Sequence, residues 1–235
     1  MKRLFLLIML SLFAFVFVGC GKKDIELEAP KNYDSSALEL AVFDLIENYK
    51  AAKNYGVKLT SNDGTTTLVT ELKMNKEGNA ITSMSYTQTG GENNMHVYIS
   101  SNTAYMLTEE GDKIKYEVGA SEQSSILRDY GFNKFIEDVE SLFLDDADLY
   151  TALPVSVEVK ENVASFALDL LAYDGTYFTE ATAVTFKITF TGNDISAIEI
   201  LVTKDNIAMS NKVEFLGLVA QTVNLPADAA SYVEQ

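Results

Sequence analysis

The chain has 235 residues, of which 47% are hydrophobic and 11% aromatic, so it can bury one large core or two small ones. Its 34 acidic and 18 basic residues give a net charge of −16, which argues against an extended nucleic-acid interface because such a surface requires clustered lysine and arginine. A single cysteine excludes an internal disulfide framework, and one histidine with one cysteine excludes the common zinc-binding patterns.

The first twenty residues predict a secretion signal. Met1-Lys2-Arg3 is a short basic region, and the uncharged run Leu4–Val18 is shorter than the ~20 residues that span a bilayer. The run ends in Phe17-Val18-Gly19-Cys20, which resembles a bacterial lipobox with phenylalanine where leucine is more frequent. The resemblance implies that residues 1–19 are a lipoprotein signal peptide and that Cys20 carries diacylglycerol with fatty acids such as palmitate. An uncleaved signal anchor is the alternative.

This cleavage predicts a lipid-anchored protein on the outer, extracytoplasmic face of the cell membrane. Removal of residues 1–19 leaves 16 basic and 34 acidic residues, a net charge of −18. Two acyl chains give durable anchoring, since each buried CH₂ contributes about 0.8 kcal/mol, and an anionic leaflet repels the acidic body. We therefore interpret residues 20–34 as the lipidated cysteine and a polar tether, followed by a single domain over residues 35–235.

The domain begins with a predicted helix. Ser36 and Glu39 have the spacing of a capping box, and apolar residues then recur at helical spacing, which predicts a helix from about Ser36 to Lys53. From Tyr55 the apolar period changes to two, and the short breaks between segments are typical of hairpins. Six strands are predicted over residues 55–61, 65–75, 80–89, 94–100, 103–109 and 112–118.

A second helical stripe interrupts the strands. The apolar face that includes Phe135, Val139 and Phe143 lies opposite acidic residues, which predicts a helix lying across the sheet as a lid. Further strands are predicted over residues 154–160, 163–172, 182–191, 194–204 and 207–217, with a final edge segment near the C-terminus. This order predicts an α+β fold, in which a large curved antiparallel sheet of about eleven strands forms a half-open β-barrel covered by the N-terminal helix and the central lid helix.

The hairpins predict one aromatic face of this sheet. If Ser101-Asn102 and Glu110-Gly111 are two-residue loops, five of the residues below share a face. A tyrosine ring packs on apolar surface while its hydroxyl reaches water or a head group, which favours a cavity wall; an ordinary aromatic core is the alternative. The predicted ligand-binding residues are this face together with apolar positions of the lid helix and of a later strand: Tyr98, Tyr105, Leu107, Ile114, Tyr116, Phe135, Val139, Phe186 and Ile188.

Three segments carry a resemblance to a known family. They are the helix that leads into Tyr55–Leu59, the hairpin His96–Met106 and the closing Val223–Pro226. Their order resembles the LolA/LolB-like lipoprotein-carrier superfamily, which includes lipid-binding lipoproteins with an N-terminal helix and a half-open antiparallel barrel. The resemblance implies a LolA-like domain that binds an acyl chain or a lipidated partner in the barrel.

The remaining residues do not predict an enzyme. His96 has no evident serine or cysteine partner and is interpreted as a buried or hydrogen-bonded strand residue. The run Asp145–Asp148 suggests calcium but lacks the glycine turn and distal glutamate of an EF-hand loop, which favours an acidic helix end. Gly90-Gly91 has no following lysine or helix with which to form a phosphate loop. We expect no catalytic residue, metal or cofactor.

Three functions are considered after these exclusions, and the first two are favoured. The first is a surface lipoprotein that shelters a lipid or acyl chain in its half-barrel. The alternative is a structural or interaction lipoprotein with a packed core and a protein partner. An extracytoplasmic hydrolase is a third, and it requires convergent carboxylates or a Ser–His contact in a cleft. Cavity volume separates the first two, because a carrier requires apolar space inside the fold.

Overall fold

A large, curved β-sheet is the main element of the computed structural model, which describes residues 28–78, 80–91, 94–108 and 110–234. In chain order the elements are β1 (Asn32–Asp34), α1 (Ser35–Ala51), β2 (Asn54–Asn62), β3 (Thr67–Glu77), β4 (Ala80–Thr89), β5 (Met95–Ser100), β6 (Thr103–Leu107), β7 (Lys113–Glu117), α2 (Ala120–Tyr130), α3 (Phe132–Glu140), a π-helical turn (Ser141–Asp145), α4 (Ala147–Ala152), β8 (Ser156–Glu158), β9 (Val163–Ala167), β10 (Ala183–Thr191), β11 (Asp194–Lys204), β12 (Ile207–Gly217), a 3₁₀ turn (Ala229–Ser231) and β13 (Val233–Glu234).

The sheet has eleven strands in the order β13-β7-β6-β5-β4-β3-β2-β12-β11-β10-β9. The antiparallel pair β2–β12 joins a meander of strands β2 to β7 to a second meander of strands β9 to β12. Strand β13 pairs with β7 in parallel, so the sheet is mixed at that edge. The sheet does not close into a barrel, and β1 and β8 form a separate two-stranded sheet. The predicted α+β fold with a large curved sheet under a few helices is confirmed.

The two ends of the sheet are named here by their turns. The lower end holds the β5–β6 turn (101–102), the β10–β11 turn (192–193) and the start of β2. The upper end holds the β2–β3 turn (63–66) and the β11–β12 turn (205–206). Helix α1 joins β1, at the lower end, to the start of β2, and it therefore crosses the lower part of the concave face.

Helix α1 begins earlier than the sequence predicts. The carboxylate of Asp34 accepts a hydrogen bond from the backbone N–H of Ala37 at 2.7 Å, so Asp34 is the N-cap. Ser36 lies inside the first turn, and the predicted capping box is therefore wrong. Aspartate is as strong an N-cap as serine, and Asp34 is held in extended backbone at the end of β1. Residues 32–34, placed in the tether by the sequence, thus belong to the folded domain.

The central helical region is longer than the single predicted helix. The predicted stripe lies on α3 and the π-helical turn, where Ile136, Leu142 and Phe143 are buried against the sheet. Helix α2 precedes it and was not predicted, because Ile126 is its one buried residue and its sequence has little apolar periodicity. Gly131 joins α2 to α3; a Cβ there would lie 2.0 Å from the carbonyl oxygen of Leu127, so the junction requires glycine.

The core lies between the helices and the concave face of the sheet. Phe143, Phe166 and Phe186 are fully buried in it. The ring of Phe143 meets that of Phe186 edge to face, with 5.5 Å between centroids. Over the meander of β2 to β7, the ring of Tyr49 of α1 stacks on that of Phe132 of α3, with 5.4 Å between centroids. These contacts fill the lower and central parts of the concave face.

We expect Phe143→Ala to lower the free energy of unfolding by about 3–5 kcal/mol, because truncating a fully buried aromatic leaves a cavity. Phe43→Ala is the matched control, since Phe43 of α1 is 47% exposed and surface changes usually stay within about 0.5 kcal/mol. Urea unfolding followed by circular dichroism measures both. Equal costs in the two variants would contradict the assignment of Phe143 to the core.

Candidate functional site

The β5–β6 hairpin has the register that the sequence predicts. Tyr98 pairs with Tyr105 and His96 pairs with Leu107, across a turn in which Ser101 has a φ of +55°. The alternate residues of β5 are buried on the concave face, so these four side chains lie on the convex face. The predicted pairing is confirmed, but the four side chains lie on the face of the sheet that points away from the helices.

The next hairpin, β6–β7, is one residue out of the predicted register. Tyr105 pairs with Lys115 rather than with Tyr116, and the neighbouring pairs are shifted in the same way. The connection runs over residues 108–112 instead of a two-residue loop. Because side chains alternate between the faces of a strand, a slip of one residue moves Ile114 and Tyr116 to the concave face. The predicted grouping of Tyr98, Tyr105, Leu107, Ile114 and Tyr116 on one face is therefore wrong.

The C-terminal segment covers part of the convex tyrosine cluster. We call residues 218–234 the C-terminal strap. Its Tyr232 is buried and meets the ring of Tyr105 edge to face at 5.7 Å. Burial raises the pKa of Tyr98 on the neighbouring strand. Tyr98 and Tyr105 therefore lie among the chain's own residues and not against the helices.

Polar contacts hold the strap on the convex face. The Asn75 side-chain N–H donates to the carbonyl oxygen of Gln221, and the Gln221 backbone N–H donates to Asn75 Oδ1, both at 2.8 Å. A Cβ on Gly56 would lie 2.6 Å from Gln221 Oε1, so glycine permits this close approach. Further along, Asp228 forms an ion pair with Lys113, and this hydrogen bond lowers the pKa of the Asp228 carboxyl. These partners are remote in sequence, and no local motif could have identified them.

His96 packs as a neutral ring on the convex face. Its ring stacks on that of Tyr98 with 6.0 Å between centroids. Burial lowers the pKa of His96, so the imidazole is uncharged at neutral pH. Its buried Nδ1 has no hydrogen-bond partner among the described residues. These contacts fit a packing role in the strand.

The other predicted ligand-binding residues lie in or beside the packed core. Phe186 and Ile188 of β10 are fully buried, and Val139 of α3 is 8% exposed. Phe135 is half-buried at the edge of the same cluster. The structure thus separates the predicted set into a convex group, a core group and the two concave residues of β7. The role of these residues as ligand contacts stays a prediction.

Apolar side chains at the upper end of the concave face are only half-buried. Tyr86 of β4 contacts Tyr130 of α2 at 5.0 Å between ring centroids, near the upper limit of the helical cover. We call the half-buried set around and above this level the open strip; it consists of Leu59, Leu68, Met95, Met106, Ile114, Ile200, Val202 and Met209. Ile114 is the predicted site residue that belongs to it. Tyr116 packs against the core below, as do the strip members Leu59, Ile200 and Val202.

Two clefts lie away from the concave face. The first, of about 490 Å³, lies at the lower end between residues 28–31, the turn at 161–162 and the end of β10. The second, of about 460 Å³, lies among polar and charged side chains on α2, α3 and the π-helical turn, including Arg128, Lys134 and Glu137. Neither has the apolar lining that an acyl chain requires.

The acidic run at the end of the central helices is structural. Asp146 caps α4 by accepting from the backbone N–H of Asp148 at 3.1 Å, and it also accepts from the Tyr173 hydroxyl. Burial, followed by this contact, raises the pKa of Tyr173. Across the part of the chain that the structure describes, no three His, Cys, Asp or Glu side chains are grouped so that they could hold a metal.

The predicted anchor lies outside the described residues, since both residues 1–19 and Cys20 precede residue 28. Within residues 28–234, as far as they are described, no helix combines the length and apolar character that crossing a bilayer requires.

Comparison with solved structures gives a distant similarity. No protein-family model matches the chain, and no curated protein matches it. Among solved structures, the chain is similar to LprF from Mycobacterium bovis at 12% identity, over 82% of this chain and 97% of LprF, with a TM-score of 0.37. A TM-score this low does not establish a shared fold.

We expect Tyr105→Ala and Tyr232→Ala to be non-additive, because the two rings contact each other. An aromatic pair is worth about 0.5–1.5 kcal/mol beyond its buried area, so a double-mutant cycle should give a coupling free energy in that range. Urea unfolding of the parent, the single variants and the double variant measures it. Tyr105→Ala combined with Tyr177→Ala, at an exposed position elsewhere, should be additive. Additivity of Tyr105 with Tyr232 would contradict the seating of the strap.

Proposed function

We propose that this protein is a lipoprotein, anchored to the outer face of the cell membrane through Cys20, whose domain binds a lipid or acyl chain along the open strip. The observation that carries the proposal is the open strip itself. Its apolar side chains are left half-buried on a concave surface, and half-buried or exposed polar residues, among them Ser61, Gln88 and Asn211, lie on the same face. Asn211 and Ser61 are the cross-strand positions between Ile200 and Leu68, so polar groups lie among the apolar members of the strip. An accessible apolar patch on a concave face is typical of a binding groove.

The shape of the open strip favours a flexible, unbranched ligand. It crosses several strands, and three of its members, Met95, Met106 and Met209, have unbranched, adaptable side chains. A buried CH₂ contributes about 0.8 kcal/mol, so ten methylenes contribute about 8 kcal/mol before the cost of ordering the chain. This chemistry fits an acyl chain better than a rigid polar ligand.

The packing of the core favours a ligand that lies on the surface of the groove. Phe143, Phe166 and Phe186 fill the centre of the concave face. The proposed ligand therefore lies above these rings, along the upper rows of the sheet, with one side accessible from solvent. We propose no catalytic step and no cofactor for this site.

A second function is favoured by the same filled core. A packed interior suits an interaction lipoprotein whose partner is a protein. The strap supports this alternative, since Leu218, Val219 and Val233 are exposed apolar residues, 44%, 65% and 66% accessible. A partner on this side would contact the convex face, opposite the open strip.

We expect Met209→Glu to weaken binding of a fluorescent fatty acid by about tenfold or more, because a carboxylate would be desolvated against the acyl chain. Ala208→Glu is the matched control; Ala208 is the neighbouring residue of β12, exposed and on the opposite face. Fluorescence titration measures the Kd of each variant, and thermal unfolding reports its stability.

Unchanged affinity in Met209→Glu, with the protein folded, would contradict the groove. A parent protein that binds no acyl probe would favour the interaction function.

We expect Cys20→Ser to abolish incorporation of labelled fatty acid and to leave an uncleaved precursor, because the hydroxyl cannot replace the thiol in the thioether. Metabolic labelling and intact mass measure both effects. A Ser36→Cys, Cys20→Ser double variant tests whether a cysteine elsewhere suffices, and it should also remain unlabelled. Labelling that persists in Cys20→Ser would refute the anchor.

A further inference from the structure

The first described residues lie at the lower end of the sheet. The backbone N–H of Val159 donates to the carbonyl oxygen of Lys31 at 3.0 Å, and Tyr33 meets Phe190 edge to face at 5.0 Å. Residues 28–31 line the lower cleft together with residues of the β10–β11 turn. The chain that leads back to Cys20 therefore leaves the domain from its lower end.

The open strip lies toward the other end of the same strands. Val202 and Met209 pair next to the β11–β12 turn, at the upper end. Strand β11 has 11 residues, so at a rise of about 3.3 Å per residue the two ends of the sheet are about 33 Å apart.

The tether is shorter than this distance. Glu28 is eight residue steps after Cys20, and even a fully extended chain spans at most about 3.6 Å per residue, which gives about 29 Å. If the upper turns touched the leaflet with the strands along the membrane normal, residue 28 would stand about 33 Å above it. The tether cannot reach that far, so it excludes an upright, inverted domain.

We infer that the lower end of the domain is its membrane-facing surface, held near the leaflet that carries the anchor by the short tether, and that the open strip is presented away from that leaflet. The inference rests on the proposed anchor at Cys20 and deepens it, because it assigns an orientation. In this orientation the open strip takes up and releases its ligand on the side of the domain that faces away from the anchoring leaflet.

The orientation is tested with fluorophores at the two ends of the full-length, natively lipidated protein. Asn193→Cys places a thiol in the lower β10–β11 turn, and Ile207→Cys places one at the exposed start of β12. Each labelled protein is reconstituted into vesicles of phosphatidylethanolamine and phosphatidylglycerol that contain a nitroxide-headgroup lipid. We expect loss of fluorescence at position 193 and none at position 207, because nitroxide quenching requires close contact.

A lengthened tether serves as the control. Twenty Gly/Ser residues inserted after Lys23 add about 25 Å of mean reach, and we expect quenching at the two positions to become similar. Quenching at 207 that equals or exceeds that at 193 with the native tether would overturn the orientation. Intact mass distinguishes the two proposals: protein without diacylglycerol on Cys20 refutes the anchor, whereas lipidated protein with the wrong quenching pattern refutes the orientation alone.

Discussion

The concave face of the sheet is apolar along most of its width, and its removal from water is the constraint on which the rest of the structure depends. Eleven strands about 4.8 Å apart extend about 48 Å along the sheet. Helix α1, with 17 residues, is only about 26 Å long. One helix cannot cover such a face, and the chain adds α2, α3 and α4 between the two meanders. This cover is complete at Phe186 and ends near Tyr86, which leaves the open strip half-exposed.

The strands could be predicted because their signals are local. β11 and β12 have the predicted bounds, and Asp205 and Asn206 between them adopt φ values of +51° and +64°, as a tight hairpin requires. Helix boundaries were less accurate, since Asp34 and Ser36 are both good caps and only the pairing of β1 decides between them. The sequence of α2 has few apolar residues at helical spacing, because most of that helix faces solvent.

The candidate site could be predicted only in part, because faces and registers depend on loop geometry. The β5–β6 turn has the length that its sequence suggests, and Tyr98 pairs with Tyr105. The β6–β7 connection is longer, and the resulting one-residue shift in register places Ile114 and Tyr105 on opposite faces. The position of the strap could not be predicted from local sequence patterns, since its partners Asn75 and Gln221 are 146 positions apart in the sequence. The limit of the helical cover, which creates the open strip, likewise follows from helix lengths and packing and not from any motif.

The pairing of β2 with β12 has a consequence for how the chain folds. Strand β2 can pair with its second neighbour, β12, only when residues 207–217 are available. The loop that must close is therefore long, and its closure is costly in entropy. During synthesis, which starts at the N-terminus, the meander of β2 to β7 can form early, and the outer edge of β2 then remains unpaired. An unpaired edge in a nascent sheet invites association with other chains. Truncation before β12 would leave that edge permanently open, and aggregation is then a more direct outcome than a smaller folded domain.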